Sequence, residues 1–245
     1  MIQLMTSIKL FCLPHAGGSS VSFQRWKSKV NPLINVCPIE LKGRGIRSNE
    51  AFYQNFEEAI DDIYNVLVSS IDGPYAILGH SMGSWLALEL YYKLLQEKVS
   101  LPLHMIFSGN RAPYSERKEV IYHKLTSEEF RKAIQKIGGV SNEIFENQEI
   151  FSIFEPILRA DFRMIENYCY KEKVNKIHCN MTIMTGKEDP KITSSDLIGW
   201  KKYAGANCDI FKLDGGHFFI QENIPEVTKI INQIFSPYVK KQELH

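Results

Sequence analysis

The sequence predicts an α/β fold built around a mainly parallel sheet, because short apolar runs alternate with longer helical patterns along most of the chain. A chain of 245 residues fits one domain, since open α/β sheets commonly hold about 200 to 250 residues in a single unit. Residues 112–175 interrupt the alternation and carry helical patterns only. We therefore expect one domain over residues 1–245, with a helical lid inserted at about residues 112–175.

Six short runs of apolar or β-branched residues, bounded by turn signals, have the pattern of buried strands. The clearest is the run IKLFCL, which leads directly into a glycine-rich turn. The predicted strands are, in chain order, residues 8–13, 34–41, 75–78, 103–108, 180–185 and 209–213.

The intervening segments have helical patterns. Apolar residues recur at steps of three and four over residues 56–71, which is the period of an amphipathic helix. Thr126 and Glu129 have the spacing of a capping box, and Pro225 suits the first turn of the last helix. The predicted helices are residues 23–30, 56–71, 82–97, 130–137, 194–203 and 225–235.

Composition excludes several classes of function. There are 29 Lys and Arg residues against 28 Asp and Glu, and a net charge of +1 provides no basic surface for nucleic acid. No apolar run near the N-terminus approaches the roughly 20 residues that a membrane helix requires, so we expect no membrane association and a cytoplasmic protein. Five cysteines, several of them within apolar runs, fit reduced structural thiols.

Residues 79–83 (GHSMG) match the G-x-S-x-G nucleophile elbow and lie where it requires, between a predicted strand and a predicted helix. A glycine two positions on either side of the serine lets the backbone turn sharply and presents the hydroxyl at the end of the sheet. Ser81 is therefore the candidate nucleophile.

A serine nucleophile needs a base, and histidine has an unperturbed pKa that suits proton transfer near neutral pH. His217 follows two glycines just after the last predicted strand, where the order serine, acid, histidine of α/β-hydrolases puts the base. His104 and His178 precede strands and so belong to the opposite edge of the sheet. We expect His80, next to Ser81, to point elsewhere, which leaves His217 as the base.

The acid of such a triad lies at the carboxyl end of a strand between the serine and the histidine. Asp189 follows the strand at residues 180–185 and is our candidate, although its neighbour Glu188 could take its place. Asp214 lies only three residues before His217, and Asp161 falls in the insertion, where a structural role is favoured.

An oxyanion needs two N–H donors, one from the residue after the nucleophile and one from a loop after an early strand. Met82 supplies the first, and the loop HAGG at residues 15–18 supplies the second, which we assign to Ala16 with Gly17 as the alternative. The sequence has no P-loop, no G-x-G-x-x-G stretch and no paired Cys or His at zinc spacing.

The same residues form part of a pattern that resembles the type II thioesterases, stand-alone α/β-hydrolases that accompany nonribosomal peptide and polyketide synthases. The resemblance covers nearly the whole chain, including the elbow, LPHAGG at residues 13–18, KGRGIR at residues 42–47 and GGHFF at residues 215–219. Its most distinctive part is PILRADF at residues 156–162, which is similar to a motif of the family's lid helix. This chain differs from the family at two places, since His15 replaces the usual aromatic residue and Lys42 replaces a proline.

The resemblance implies an α/β-hydrolase that releases acyl or aminoacyl groups held as thioesters on the phosphopantetheine arm of carrier proteins. Such an enzyme clears stalled or misprimed synthases, and carrier-protein domains would be its partners. Ser81 would attack the thioester carbonyl, His217 would take and return the proton, and Asp189 would hold the imidazole. The N–H groups of Met82 and Ala16 would stabilise the oxyanion. The resemblance also implies that neither a metal nor a dissociable cofactor is required.

Two further expectations concern the substrate. Arg44 and Arg47 are expected near the entrance for the pantetheine arm. A set of apolar lid residues could wall an acyl chamber or, more conservatively, form the core of the lid: Phe145, Phe151, Phe154, Ile157, Leu158, Phe162 and Met164.

Three alternative functions stay open on the sequence. They are a medium-chain fatty acyl carrier-protein thioesterase, a general carboxylesterase or lipase, and a hydrolase-fold binding protein that has lost catalysis. The complete set of Ser81, Asp189 and His217 argues against the last. A monomer is the default expectation.

Overall fold

The structure is a computed structural model that describes residues 7–114, 121–138 and 142–243. At its centre, six strands form one sheet in the order β2-β1-β3-β4-β5-β6, and every neighbouring pair is parallel. The predicted α/β fold with a mainly parallel sheet is confirmed. The strands are β1 Ile8–Leu13, β2 Ile34–Pro38, β3 Tyr75–His80, β4 His104–Ser108, β5 Asn180–Gly186 and β6 Cys208–Leu213.

Eight α-helices accompany the sheet within the described residues. Helix α1 begins where the Asn55 side chain accepts a hydrogen bond from the Glu58 N–H, and its apolar stripe is buried as the sequence predicts. The helices are α1 Phe56–Ser70, α2 Met82–Gln96, α3 Ser127–Ile137, α4 Asn142–Glu146, α5 Gln148–Glu166, α6 Ser194–Gly199, α7 Phe219–Glu222 and α8 Ile224–Glu243.

Successive side chains of the central strands point to opposite faces of the sheet, and each face has its own core. Phe11 and Ile77 pack on the face covered by α1 and α2. Leu10 and Leu78 pack on the other face, against Trp26 and the apolar side of α8. Burial on both faces is typical of parallel sheets and explains the continuous apolar runs of the sequence.

Helices α3, α4 and α5 lie between β4 and β5, in the interval where the sequence predicts the lid. The capping box of Thr126 and Glu129 is formed at the start of α3. The lid has a small core of its own, which includes Phe130, Phe145 and Phe151. Residues 115–120 and 139–141 of the predicted lid lie outside the described residues.

Several predicted boundaries are wrong. Residues 23–30 contain no α-helix, and the chain instead forms a 3-10 helix at Ser20–Trp26. The strand predicted at residues 34–41 ends at Pro38, three residues earlier than predicted. Helix α7 was not predicted, because four residues are too few to show a helical period.

Candidate active site

Ser81 lies in the sharp turn between β3 and α2, with a φ of 53° and a ψ of −119°. Such a conformation is strained for any residue other than glycine, and nucleophile elbows are a known place for it. A Cβ atom on Gly79 would overlap the backbone of Gly83, and one on Gly83 would overlap the backbone of Leu13. The two glycines of the motif are therefore required by close backbone packing around the serine.

The structure brings Ser81, His217 and Asp189 together at the carboxyl edge of the sheet. His217 Nε2 lies 3.0 Å from Ser81 Oγ, and His217 Nδ1 lies 2.7 Å from Asp189 Oδ2. The three side chains come from the loops after β3, β6 and β5. These distances and this order are the geometry of a nucleophile, a base and an orienting acid.

Asp189 is buried, and its second carboxylate oxygen accepts a hydrogen bond from the Lys191 N–H at 3.0 Å. The neighbouring carboxylate of Glu188 points elsewhere, since it accepts a hydrogen bond from the Gly215 N–H at 2.5 Å. Asp214 is exposed and pairs with Lys187. Asp189 is thus the carboxylate that contacts the imidazole of His217.

The other described histidines have different partners. His80 is buried beside Ser108 Oγ at 3.0 Å, and burial holds its pKa well below the usual value. His104 contacts Thr182 at the opposite end of the sheet. His123 contacts Glu166 in the lid. None of these three imidazoles forms a hydrogen bond with Ser81, which agrees with the expectation for His80 and His104.

The two residues predicted to supply oxyanion donors, Met82 and Ala16, both line the cavity that contains Ser81. Met82 is the first residue of α2, and N–H groups in the first turn of a helix lack an intrahelical acceptor. Ala16 lies in the loop after β1 and lines the same cavity as Ser81. The alternative donor, the Gly17 N–H, donates instead to Asp161 Oδ2 at 2.7 Å.

Arg44 and Arg47 were expected near the entrance for the pantetheine arm. In the structure, both side chains donate hydrogen bonds to carboxylates. Arg44 is 3% exposed, and its two terminal nitrogens donate to Asp161 at 2.6 and 2.7 Å. Arg47 donates to Glu50 and Asp62 at distances of 2.6 to 2.9 Å. Neither residue lines the cavity that contains Ser81.

That cavity has a volume of about 310 Å³ and lies between the sheet edge and the lid. Of the seven lid residues named as candidate walls, Leu158 and Phe162 line it, whereas Phe145 and Phe151 belong to the lid core and Met164 to the main core. The volume is at the small end of the range for small-molecule sites. Its apolar lining consists chiefly of Trp85, Ile134, Ile137, Leu158, Phe162, Ile165, Ile192 and Phe218.

One arginine, one lysine and one glutamate, to which the sequence analysis gives no role, also line the cavity. Arg111 stacks over the Trp85 ring at 5.2 Å from its centroid, and Lys191 lies two residues after the candidate acid. Glu166 accepts a hydrogen bond from the Tyr122 N–H at 2.7 Å. Arg111 and Lys191 follow β4 and β5, so their place after parallel strands was the signal that could have identified them.

Within the described part of the chain, no group of three His, Cys, Asp or Glu side chains is arranged to hold a metal ion. Among the same residues, no helix combines the length and apolar character needed to cross a membrane.

Comparisons with known proteins give a matching family model, curated relatives and similar solved structures. The thioesterase domain family model matches residues 8–235. Linear gramicidin dehydrogenase LgrE of Brevibacillus parabrevis is 32% identical over 235 residues, covering 95% of this chain and 89% of the relative. The name of that relative denotes a dehydrogenase, whereas the present sequence has no G-x-G-x-x-G stretch for a dinucleotide.

A second relative is the medium-chain S-acyl fatty acid synthase thioesterase of Rattus norvegicus. It is 33% identical over 220 residues, which covers 87% of this chain and 82% of the relative. Among solved structures, ClbQ from the colibactin NRPS/PKS pathway superposes with a TM-score of 0.90 at 31% identity. That match covers 97% of this chain and 99% of ClbQ.

Proposed function

The chain belongs to the thioesterase family and is a hydrolase acting on thioesters, and from this premise we propose that Ser81, His217 and Asp189 form its catalytic triad. The observation that carries the proposal is the continuous chain of two contacts, 3.0 Å from serine to histidine and 2.7 Å from histidine to aspartate. The strained backbone of Ser81, which exposes its hydroxyl to the cavity, supports the same assignment.

In the proposed mechanism, Ser81 Oγ attacks the thioester carbonyl carbon while His217 Nε2 takes the hydroxyl proton. The carbon–sulfur bond then breaks, and His217 returns the proton to the departing thiol. Asp189 accepts the hydrogen bond from Nδ1, which keeps Nε2 free to act as the base and stabilises the imidazolium. Water hydrolyses the acyl-serine ester by the same proton transfers in the second half of the cycle.

The N–H groups of Met82 and Ala16 are the proposed oxyanion donors. Gly17 is set aside because its N–H already donates to Asp161. Removal of one such donor typically costs about 10² to 10³ in rate, so the pair provides a large part of the catalysis. The steps above need neither a metal nor a dissociable cofactor, and we propose that the enzyme uses none.

The function is that of a type II thioesterase of nonribosomal peptide and polyketide synthesis. We propose that it removes acyl or aminoacyl groups from the phosphopantetheine arm of carrier proteins and so clears stalled or misprimed synthases. The likeness to ClbQ of an NRPS/PKS pathway supports this substrate class. The cavity volume of about 310 Å³ favours substrates with short acyl groups over substrates with long acyl chains. We further propose that the protein acts as a monomer in the cytoplasm.

The entrance for the pantetheine arm was expected at Arg44 and Arg47. Arg111 and Lys191 line the cavity, and we propose that they meet the phosphate of the arm. Charge reversal at Arg111 and Lys191, compared with reversal at Arg47, separates the two assignments. The residues that meet the arm are those whose charge reversal raises KM for an acylated carrier protein.

The experiment for the proposed function measures hydrolysis of acetyl-, medium-chain acyl- and aminoacyl-carrier proteins by the wild type and by Ser81→Ala. The matching coenzyme A thioesters and a p-nitrophenyl ester are assayed in parallel. Preference for short acyl or aminoacyl carrier proteins, lost in Ser81→Ala, supports the proposal. Activity that survives the substitution would remove Ser81 from the mechanism.

The second candidate function is release of medium-chain fatty acids from a carrier protein, favoured by the 33% identity to the rat enzyme. A preference for medium-chain acyl groups in the same assay would select it. Fast turnover of the p-nitrophenyl ester would favour a general esterase. Failure of a fluorophosphonate to label Ser81 would favour a binding protein without catalysis.

A further inference from the structure

The peptide unit that joins Ala16 to Gly17 is held at both of its polar ends by side chains. The Ala16 carbonyl oxygen lies 2.9 Å from His15 Nδ1. The Gly17 N–H donates to Asp161 Oδ2 at 2.7 Å. The preceding peptide is also held, because the His15 carbonyl accepts a hydrogen bond from the Gly18 N–H at 2.9 Å. Both peptides that flank Ala16 are therefore fixed, and with them the direction of the Ala16 N–H.

His15 contacts the carbonyl as a neutral donor. Its side chain is buried, and burial lowers its pKa to about 4. A carbonyl oxygen can only accept, so the Nδ1 atom carries the proton and Nε2 is left as an acceptor. The Gln221 amide nitrogen lies 3.0 Å from Nε2 and donates to it, which selects this tautomer.

Asp161 approaches the other end of the peptide from the lid, since it belongs to α5. It is 2% exposed and is held by Arg44, which donates to both carboxylate oxygens. Arg44 also donates to the Gly18 carbonyl at 3.1 Å. One turn earlier on α5, Leu158 lies so close to Gly17 that a Cβ there would overlap it. The lid helix thus contacts the loop through a charged group and an apolar group.

We propose that His15 and Asp161 are positioning residues that aim the Ala16 N–H at the oxyanion, so that the oxyanion site is complete only when the lid helix is docked. This inference rests on the proposed function, because it assumes that Ala16 is an oxyanion donor. Substrate binding in the ground state does not need this donor at full strength, whereas the transition state does. Loss of either positioning contact lowers kcat and leaves KM nearly unchanged.

The test at the His15 end compares His15→Leu with His15→Asn in the full-length protein. Leucine removes the donor, whereas asparagine keeps an amide N–H near the place of Nδ1. We expect kcat for an acylated carrier protein to fall about 10- to 100-fold in His15→Leu and to recover most of that loss in His15→Asn. Equal loss in both variants, or a loss expressed in KM, would overturn the role of His15.

The test at the Asp161 end uses Asp161→Leu, which removes the acceptor for the Gly17 N–H and leaves Arg44 without its carboxylate. Because an unpaired buried cation can prevent folding, Arg44→Met combined with Asp161→Leu is made as well. Inhibition by a trifluoromethyl ketone analogue of the substrate is measured for each, since Ser81 adds to its carbonyl and creates an oxyanion. We expect the affinity for this ketone to fall about as much as kcat. The decrease of kcat toward low pH should occur at the same pH as in the wild type.

An unchanged affinity for the ketone in both Asp161 variants would overturn the coupling between lid and oxyanion site. The wild type and Ser81→Ala are assayed beside them with the same carrier protein. Failure of the proposed function appears there, as an inactive wild type or an active Ser81→Ala. Failure of the further inference appears only in the His15 and Asp161 variants.

Discussion

The sheet edge and the lid enclose the same cavity, but they are held in place by different forces. At the sheet edge, Ser81, Asp189 and His217 directly follow strands, and the backbone hydrogen bonds of the sheet fix each strand end. The lid has a small core of its own and is joined to the rest of the molecule by specific polar contacts. Two of them are the buried pair of Asp161 with Arg44 and the contact of Tyr168 with Glu89 at 2.5 Å.

The proposed catalytic residues and the residue proposed to aim one oxyanion donor are therefore held in place by separate parts of the molecule. A buried ion pair adds little net stability, because desolvation of both charges offsets most of their attraction. It is nevertheless specific, since removal of one partner leaves the other buried and unpaired. The lid contact is therefore better suited to define one docked position than to hold the fold together.

We expect the largest loss of kcat from a substitution at the sheet edge. Asp189→Asn leaves the fold intact but favours the wrong tautomer of His217, and we expect kcat to fall about 10³- to 10⁴-fold. The matched control is Glu188→Gln, whose side chain contacts the Gly215 N–H and not the imidazole. Steady-state assays of both variants should show a loss of less than about tenfold for the control. Small losses in both variants would mean that either carboxylate can orient the histidine, and large losses in both would mean that the effect is not specific to Asp189.

The sequence was sufficient to predict which residues meet at the sheet edge, because the sequence signals for these residues are local. The G-x-S-x-G stretch and the residues that follow the strands at residues 180–185 and 209–213 lie within a few positions of a strand end. The lid contacts carry no such signal. Arg44 and Asp161 are 117 positions apart, and only the folded chain shows that they meet. The same applies to the cavity walls, where the helical period of α5 could not distinguish Leu158 from the core residue Met164.

A smaller loss of kcat is expected from a substitution at the contact between the loop after β1 and the lid. Gly17 has a φ of +75°, and a Cβ there would overlap Leu158 of the lid, so we expect Gly17→Ala to lower kcat about 10²-fold. Leu158→Ala in the same chain removes the overlap and should recover about tenfold of that loss. The control is Gly138→Ala, at a φ of +81° but with only ordinary contacts to Phe218.

Steady-state kinetics of these variants show whether the contact between the lid and Gly17 affects turnover. Gly138→Ala imposes the same kind of backbone strain, of about 1 kcal/mol, without a clash against the lid. We expect it to change kcat by less than about threefold. If Gly17→Ala and Gly138→Ala have equal effects, the pressure of the lid helix on the loop contributes nothing to turnover.

A smaller effect is expected inside the lid, on selectivity more than on rate. Phe162→Ala enlarges the cavity, and each additional methylene that a pocket admits is worth about 1 to 3 kcal/mol. We expect the ratio of kcat/KM for octanoyl- over acetyl-carrier protein to rise about tenfold. Phe154→Ala, at a lid position outside the cavity lining, should leave this ratio within about twofold of the wild type. An equal rise in both variants would indicate general loosening of the lid.

The smallest effect on turnover is expected at the opposite edge of the sheet, where His104 is buried beside Thr182. Burial lowers the pKa of His104 to about 4 from its ordinary value of 6.5. Between these two pH values the unfolded chain binds a proton that the folded chain does not. The contribution of His104 to stability therefore decreases as pH falls, by about 1.4 kcal/mol for each pH unit.

Denaturant unfolding of His104→Asn between pH 6.5 and pH 4 should show a shallower loss of stability than the wild type, by close to one bound proton. His178→Asn, at an exposed position, should follow the wild-type slope. Both variants should keep the kcat of the wild type at pH 7, because His104 lies at the start of β4 and the reacting groups follow the opposite ends of the strands. A fall in kcat for His104→Asn at pH 7 would show that the two edges of the sheet are coupled. The proposed catalytic site would then depend on residues at the far end of the strands.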